Sequence, residues 1–206
     1  MPNYHIPFVP DDIYHIVSRA IGNEKLFPYD TNYEFFLEKY KQYIPPVADT
    51  FAFCLLPNHF DFLVQIKSNG SLEDYFRQKK KSTSIDLHQI PDMVMECFSN
   101  LLNSYTKSFN KVFQRKGGLF IDSLRRVEIK MDNQFGSTIF YIHKNPVHHG
   151  YVDSIESWRW SSYNTLIGTS ETILKRAEVL KWFGNVSEFK KYHKQPIYLK
   201  KDFMLE

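Results

Sequence analysis

Four side chains in two short runs have the types and the spacing for phosphate chemistry. In Leu55-Leu56-Pro57-Asn58-His59-Phe60-Asp61-Phe62-Leu63-Val64, an imidazole and a carboxylate stand two residues apart. On a strand that spacing puts both on one face, with Phe60 on the other, so the pair can point at one ion. An imidazole with a carboxylate suits magnesium or manganese better than structural zinc, which is held by thiolates and several imidazoles. In the second run, Tyr141 and Asn145 are four apart, the spacing at which helical side chains stack on one face. Asn145 then offers an amide oxygen as a third ligand, and Tyr141 a nucleophile. A phenol with a pKa near 10 is ionised to about one part in a thousand at neutral pH. Attack therefore needs a neighbouring cation, which the ion or Lys144 would supply.

Each of these residues also has a plain reading. His59 taken singly is a satisfied histidine at a strand turn, Tyr141 a helical aromatic in the core, and Asn145 a helix-end residue before Pro146. His148 and His149 are adjacent and cannot both face one ion in a regular helix, so they and His143 are assigned to the surface or to DNA contact. His15 and Arg19 open the fold, either lining the site or facing solvent.

The elements that must position these groups follow from periodicity and punctuation. A strand is expected over 13–19, closed by Gly22 and Asn23, and a helix after Asp30 and Thr31 that stops at Pro45 and Pro46. The apolar stretch 47–67, broken only at Pro57-Asn58-His59, reads as two buried strands joined by a tight turn. Ser71 caps a short helix through Phe76, a basic loop follows over 79–84, and a longer helix runs from Asp92 to about Phe113. A strand over 124–130 and a helix capped by Asp132 or Asn133, ending before Pro146, carry the second run. The order strand, helix, strand, strand, helix, strand, then a further helix predicts an α+β, ferredoxin-like (split β-α-β) antiparallel sheet, with helices on one face and a carboxy-terminal helical extension. Trp158, Trp160 and Tyr163 are expected to pack that extension, and a helix is expected over 170–183.

Composition narrows the class. The 206 residues, 43% hydrophobic, suffice for one sizeable core with extensions. No apolar run approaches the roughly 20 residues of a membrane span, and the amino terminus has no charged segment leading into an apolar one. Cys54 and Cys97 have no close partner for a disulfide framework, which fits a reducing cytoplasm. A net charge of +3 is too small to imply nucleic acid by itself. Its clustering says more: Lys79 to Lys81, then Lys111, Arg115 and Lys116, then Arg125 and Arg126, then Lys190, Lys191 and Lys194. Tyr105, Phe109, Phe113, Phe120, Tyr192 and Tyr198 interleave with these cations, as phosphate contact plus base stacking requires.

A Pro-Asn-His strand followed by a Tyr-Ile-x-x-Asn-Pro-Val helix resembles the HUH-type single-tyrosine transposases, and their REP-associated branch in particular. Five blocks carry the likeness in order: Tyr14-His15-Ile16-Val17-Ser18-Arg19, the strand through His59, Gly118-Leu119-Phe120, Tyr141 to Gly150, and Trp158-Arg159-Trp160-Ser161-Ser162-Tyr163. The resemblance implies a metal held by His59, position 61 and Asn145, with Tyr141 as nucleophile. It implies a divalent cofactor, Mg2+ or Mn2+, and a single-stranded or hairpin DNA partner cut and rejoined through a 5′-phosphotyrosine. It also implies a monomer rather than a homodimer. Position 61 departs from the pattern, with aspartate where the family has a second histidine. A hard cation accepts a carboxylate readily, yet a hairpin-binding copy that no longer cuts would show the same change, and a phosphodiesterase using water would share the metal. Residues 1–165 are expected to form the DNA-processing domain and 166–206 the extension. Arg19, Lys116, Arg125, Arg126 and Lys144 are the expected DNA contacts.

Overall fold

Alternation of side chains across one strand sets up everything else. In the computed structural model, which describes residues 5–121 and 124–196, β3 (His59–Ile66) sends Phe60, Phe62, Val64 and Ile66 into one apolar cluster and Leu63 into another. Two cores thus lie on opposite faces of one sheet. The sheet has four strands in the order β2-β3-β1-β4, all neighbours antiparallel, with β1 at Ile13–Arg19, β2 at Ala48–Leu56 and β4 at Arg125–Ile129. This is the split β-α-β order, since β1 and β2 are joined through a helix and separated in the sheet by β3.

The two crossovers share a face, as expected. Helix α1 (Asp30–Tyr43) buries Tyr33, Phe36 and Tyr40, and α3 (Ile90–Val112) buries nine residues from Ile90 to Phe109; both join the cluster of Tyr14, Ile16, Phe60 and Phe62. Helix α2 (Asn69–Lys80) lies between β3 and α3 in the chain, capped by Ser68, whose hydroxyl accepts the Ser71 N–H. The stretch expected as loop from 79 is therefore helical to Lys80, and the turn comes at Lys81, which takes a left-handed φ of 51°. The expectation of all helices on one face needs correction. Helix α4 (Asn133–His148), which follows β4, packs on the opposite face with Leu56, Leu63, Phe135, Ile139 and Ile142. A helix leaving the edge strand β4 is not bound by the crossover geometry that holds α1 and α3 together, and the second apolar face of the sheet needs a cover.

Pro146 does not end α4, as expected from sequence, but sits inside its last turn; Gly150, at φ +69°, closes it, and Tyr151 N–H returns to the Pro146 carbonyl. Beyond it, α5 (Tyr163–Ile167), α6 (Arg176–Phe183) and α7 (Val186–His193) complete the described chain; Tyr198 lies outside the described residues. The segment expected to be helical from 170 is irregular up to Leu174, which bridges Thr50 on the edge strand β2, and the helix starts only at Arg176. Trp160 joins the first core, stacked on Tyr33 of α1 with centroids 4.6 Å apart, rather than serving the extension.

The extension docks on the back of α4. A Cβ at Gly136 would fall 2.2 Å from the Trp182 ring, so α6 seats its indole where only glycine leaves room. Beside it runs a fully enclosed polar chain. The Phe53 amide donates to Ser162 Oγ at 2.8 Å, and the serine hydroxyl, 3.2 Å from the Phe53 carbonyl, meets His143 Nε2 at 2.7 Å. His143 Nδ1–H then donates to His193 Nε2 at 2.9 Å, and His193 Nδ1–H to the Phe189 carbonyl at 2.8 Å. Both imidazoles are thereby held neutral, and His143, expected at the surface, is buried. Burial lowers the pKa of both, that of His193 to about 4, with each ring's positive charge opposed by its neighbour or by Lys144. The sign follows: above about pH 6.5 neither state binds a proton, and as pH falls the unfolded chain binds protons first. Stability is expected to fall between about pH 6.5 and about 4, by up to ~3 kcal/mol from His193. Urea denaturation across that range, with the His193→Gln variant subtracted, measures this contribution; a difference that stays flat below pH 6 would refute it.

Candidate active site

The turn after β2 sets the first ligand. Pro57 and Asn58 join β2 to β3 in two residues, with Leu56 paired to His59; a proline in the first turn position has its φ already set. Asn58 Oδ1 lies 2.8 Å from His59 Nδ1, and with the Nδ1–H donating to it the ring turns Nε2 inward. That nitrogen faces Asp61 Oδ2 at 3.8 Å. Two acceptors opposed at that distance repel unless a cation or a proton lies between them.

Asp61 is completely buried, and both its oxygens have partners. Oδ1 accepts His15 Nε2–H at 2.7 Å and Oδ2 accepts Asn145 Nδ2–H at 2.9 Å. The register explains the first contact, because Asp61 pairs with Val17 and His15 lies two residues along the same face of β1. His15 is the residue that spacing alone left undecided. Only the register decides it: with Val17 opposite Asp61, the odd-numbered β1 residues share a face with the carboxylate. The helix contributes Asn145, whose Oδ1 is buried without a hydrogen-bond partner. Turning that amide half a revolution would aim the oxygen at the space shared by His59 and Asp61. With the amide so turned, one nitrogen and two oxygen donors would face the same space, a set that suits a hard divalent ion. Among the described residues no group of three or more His, Cys, Asp and Glu has a metal-holding arrangement, so any such centre depends on the amide.

Tyr141 sits on the wall of this cluster. Its ring meets His15 edge-on, with centroids 5.9 Å apart, and is 3% exposed within the second core. The structure therefore brings His59, Asp61, Asn145 and His15 together and joins Tyr141 to them through the His15 ring. His149 was assigned to the surface, and it is exposed, but its ring lies 5.2 Å from that of His59 at the rim of the site.

The expected DNA contacts divide. Arg19 is exposed and paired in register with His59, so it stands on the site face beside the turn. Arg125 pairs with Val17, in the same row as Asp61, and is half-buried. Arg126 must be corrected: alternation sends it to the other face, where it stacks on Phe8 at 4.4 Å and donates to the carbonyls of Ile6 and Leu124, so it has no reach to phosphate. Burial lowers its pKa. Lys116 is exposed past the end of α3. Lys144 lies over the Phe140 ring and beside His193, on the α7 side of the helix rather than at the Tyr141 phenol. The Ser162–His143–His193 chain has a nucleophile's sequence of atoms, but its enclosure keeps substrate from the hydroxyl.

The His15–Asp61 bond is expected to contribute about 1 to 3 kcal/mol of coupling in a double-mutant cycle of His15→Ala and Asp61→Ala, with His15→Ala alone costing about 3 kcal/mol by stranding a buried carboxylate. Urea denaturation measures both. Strictly additive costs would show that the two side chains do not support each other.

No family model matches the chain. A relative carrying the name REP-associated tyrosine transposase, from Haemophilus influenzae, is 27% identical over 168 residues, covering 80% of this chain and 86% of the relative. Among solved structures, that of a REP-associated tyrosine transposase bound to a REP hairpin matches with a TM-score of 0.56 at 14% identity, over 85% of this chain and 94% of the other. The second likeness speaks for the fold alone.

Proposed function

We propose, from the chain's kinship with the REP-associated tyrosine transposases, that it is a single-strand DNA transposase that cuts and rejoins a hairpin-bearing strand through Tyr141. The observation that carries this reading is the convergence of His59, Asp61 and Asn145 on one buried point beside the Tyr141 helix. Arg19 and Arg125, on the same face of the sheet, would hold the phosphate against that point. Ionised Tyr141 attacks phosphorus in line, the bond to the preceding 3′ oxygen breaks, and a 5′-phosphotyrosine and a free 3′-hydroxyl result. The ester retains the energy of the phosphodiester, so a 3′-hydroxyl from another strand reverses the step and joins DNA. Magnesium or manganese, held by His59, Asp61 and Asn145, would supply positive charge at the phosphate and the departing oxygen. No nucleotide cofactor enters this scheme. We place the protein in the cytoplasm, acting as a monomer; no helix among the described residues is long and apolar enough to cross a membrane.

Two observations favour a second reading, that of a hairpin-binding protein that no longer cuts. Both oxygens of Asp61 are engaged, and the Tyr141 ring is nearly enclosed. Cutting therefore requires Asn145 to release Asp61 and the tyrosine to gain access to substrate.

Incubation of the full chain with manganese and labelled hairpin oligonucleotides separates the two. Cutting predicts a covalent protein–DNA adduct that the Tyr141→Phe variant loses by at least about a hundredfold, as expected when the nucleophile itself is removed. Hairpin binding with no adduct, and cutting gained on Asp61→His, would establish the second reading. Turnover left intact by Tyr141→Phe would exclude both in favour of water as the nucleophile.

A further inference from the structure

The two oxygens of Asp61 are held by unlike partners. Oδ1 accepts from His15 Nε2 at 2.7 Å, a contact between neighbouring strands whose register sets Val17 opposite Asp61. Both side chains are buried, and the His15 ring is walled by Tyr141, which meets it edge-on with centroids 5.9 Å apart. Oδ2 accepts from Asn145 Nδ2 at 2.9 Å and faces His59 Nε2 at 3.8 Å. One oxygen thus belongs to the sheet, and the other to the space that His59 and Asn145 share.

The two partners differ in what they can do toward a cation. An amide turned over about its last bond puts an oxygen where its nitrogen was, so Asn145 can change from donor to ligand in place. The Asn145 oxygen is buried without a hydrogen-bond partner, so the turn breaks no bond on that side. An imidazole turned over puts a carbon where Nε2 was. His15 therefore has one way to serve Oδ1, and losing it would strand a buried carboxylate oxygen. A carboxylate held in this manner meets an ion through its free oxygen alone. Hard ions differ in whether they accept that. Magnesium and manganese form a tight octahedron in which a carboxylate gives one oxygen, whereas calcium is larger, takes more oxygens and often takes both from one carboxylate.

We infer that His15 is a positioning residue that makes Asp61 a one-oxygen ligand and thereby biases the site toward magnesium and manganese and against calcium. The assignment rests on the reading of His59, Asp61 and Asn145 as a metal centre and adds to it the source of its selectivity. It also accounts for how aspartate can serve at position 61. A histidine there would offer one nitrogen by its own construction; the carboxylate offers one oxygen because a residue of the next strand occupies the other.

Manganese binding to the full chain without DNA tests this, followed by loss of the free ion's electron paramagnetic resonance signal with calcium as competitor. The parent is expected to favour manganese. His15→Leu is expected to weaken manganese binding by about tenfold, as loss of a residue that orients a ligand does, and to weaken calcium binding less, so that the preference shrinks. His15→Gln, whose amide can donate to the same oxygen, is expected to restore the preference. In an Asp61→His background His15→Leu should leave the preference unchanged, since no second carboxylate oxygen is released. Equal losses for both ions, which a merely structural His15 would give, overturn the assignment, as does a parent without preference; manganese binding by the parent still upholds the metal centre. Manganese binding that is absent, or indifferent to His59→Ala, overturns both. If His15→Leu fails to fold, the parent decides: in nitrogen-15-labelled protein titrated with magnesium, the His15 Nε2–H resonance is expected to keep its hydrogen-bonded shift, and its loss overturns the assignment.

Discussion

A carboxylate with no exposure to water must be met by donors on every side, and in this protein that requirement knots three elements together. Removing a carboxylate from water costs several kcal/mol unless hydrogen bonds replace the solvent. Asp61 satisfies it with His15 from β1 and Asn145 from α4, while His59 faces it along its own strand. The helix is therefore registered against the sheet by a polar contact as well as by the packing of Ile139 and Ile142. An apolar interface of that kind can slide by fractions of a turn; a bond to one oxygen atom cannot. The position of Tyr141, one turn before Asn145, follows from the same bond.

The aspartate also changes the electrostatics of the pocket relative to the two-histidine arrangement that the motif leads one to expect. A carboxylate would add negative charge where, on the proposed reading, a phosphate would sit. With a divalent cation among the same side chains the charge strengthens coordination; without one it opposes the substrate. A catalyst built this way depends on its ion more steeply than one built on two imidazoles. His15 moderates the effect, since its N–H takes one carboxylate oxygen, while the other accepts from Asn145 and faces His59. The sequence thus contains its own compensation for position 61, placed on a neighbouring strand rather than in the motif.

How far the chain could be read before folding depended on whether a feature was local. The strand over 13–19, the tight turn at Pro57-Asn58, the helix that carries Tyr141 and Asn145 and the order of the elements all rest on short-range periodicity and turn chemistry, and each appears where that chemistry puts it. What was not legible depended on register between distant segments. Arg125 and Arg126 looked like one basic pair, yet alternation sends them to opposite faces, and only the pairing with Val17 and Ile16 decides which one joins the site. His15 needed the β1–β3 register in the same way. His143 was misassigned because nothing local says that α7, fifty residues later, returns to cover it. Pro146 misled in the opposite direction: a proline near a helix end commonly stops it, but here the turn continues because Gly150 can take the left-handed conformation that closes it.

The last two corrections share one element, α4, which is a helix buried on both sides. Residues 141 and 145 face the sheet, while 143, about 200° around the axis from 141, faces the extension. Such a helix cannot show a clean amphipathic stripe, and its polar groups must each find a specific partner inside the protein. Asn145 finds Asp61 on one side and His143 finds Ser162 and His193 on the other. The helix that carries the tyrosine is in this way clamped between two enclosed polar networks, one belonging to the sheet and one to the extension. Any movement of α4 must strain at least one of them, so the extension, remote from the His59 cluster, helps to hold the helix in place against the sheet.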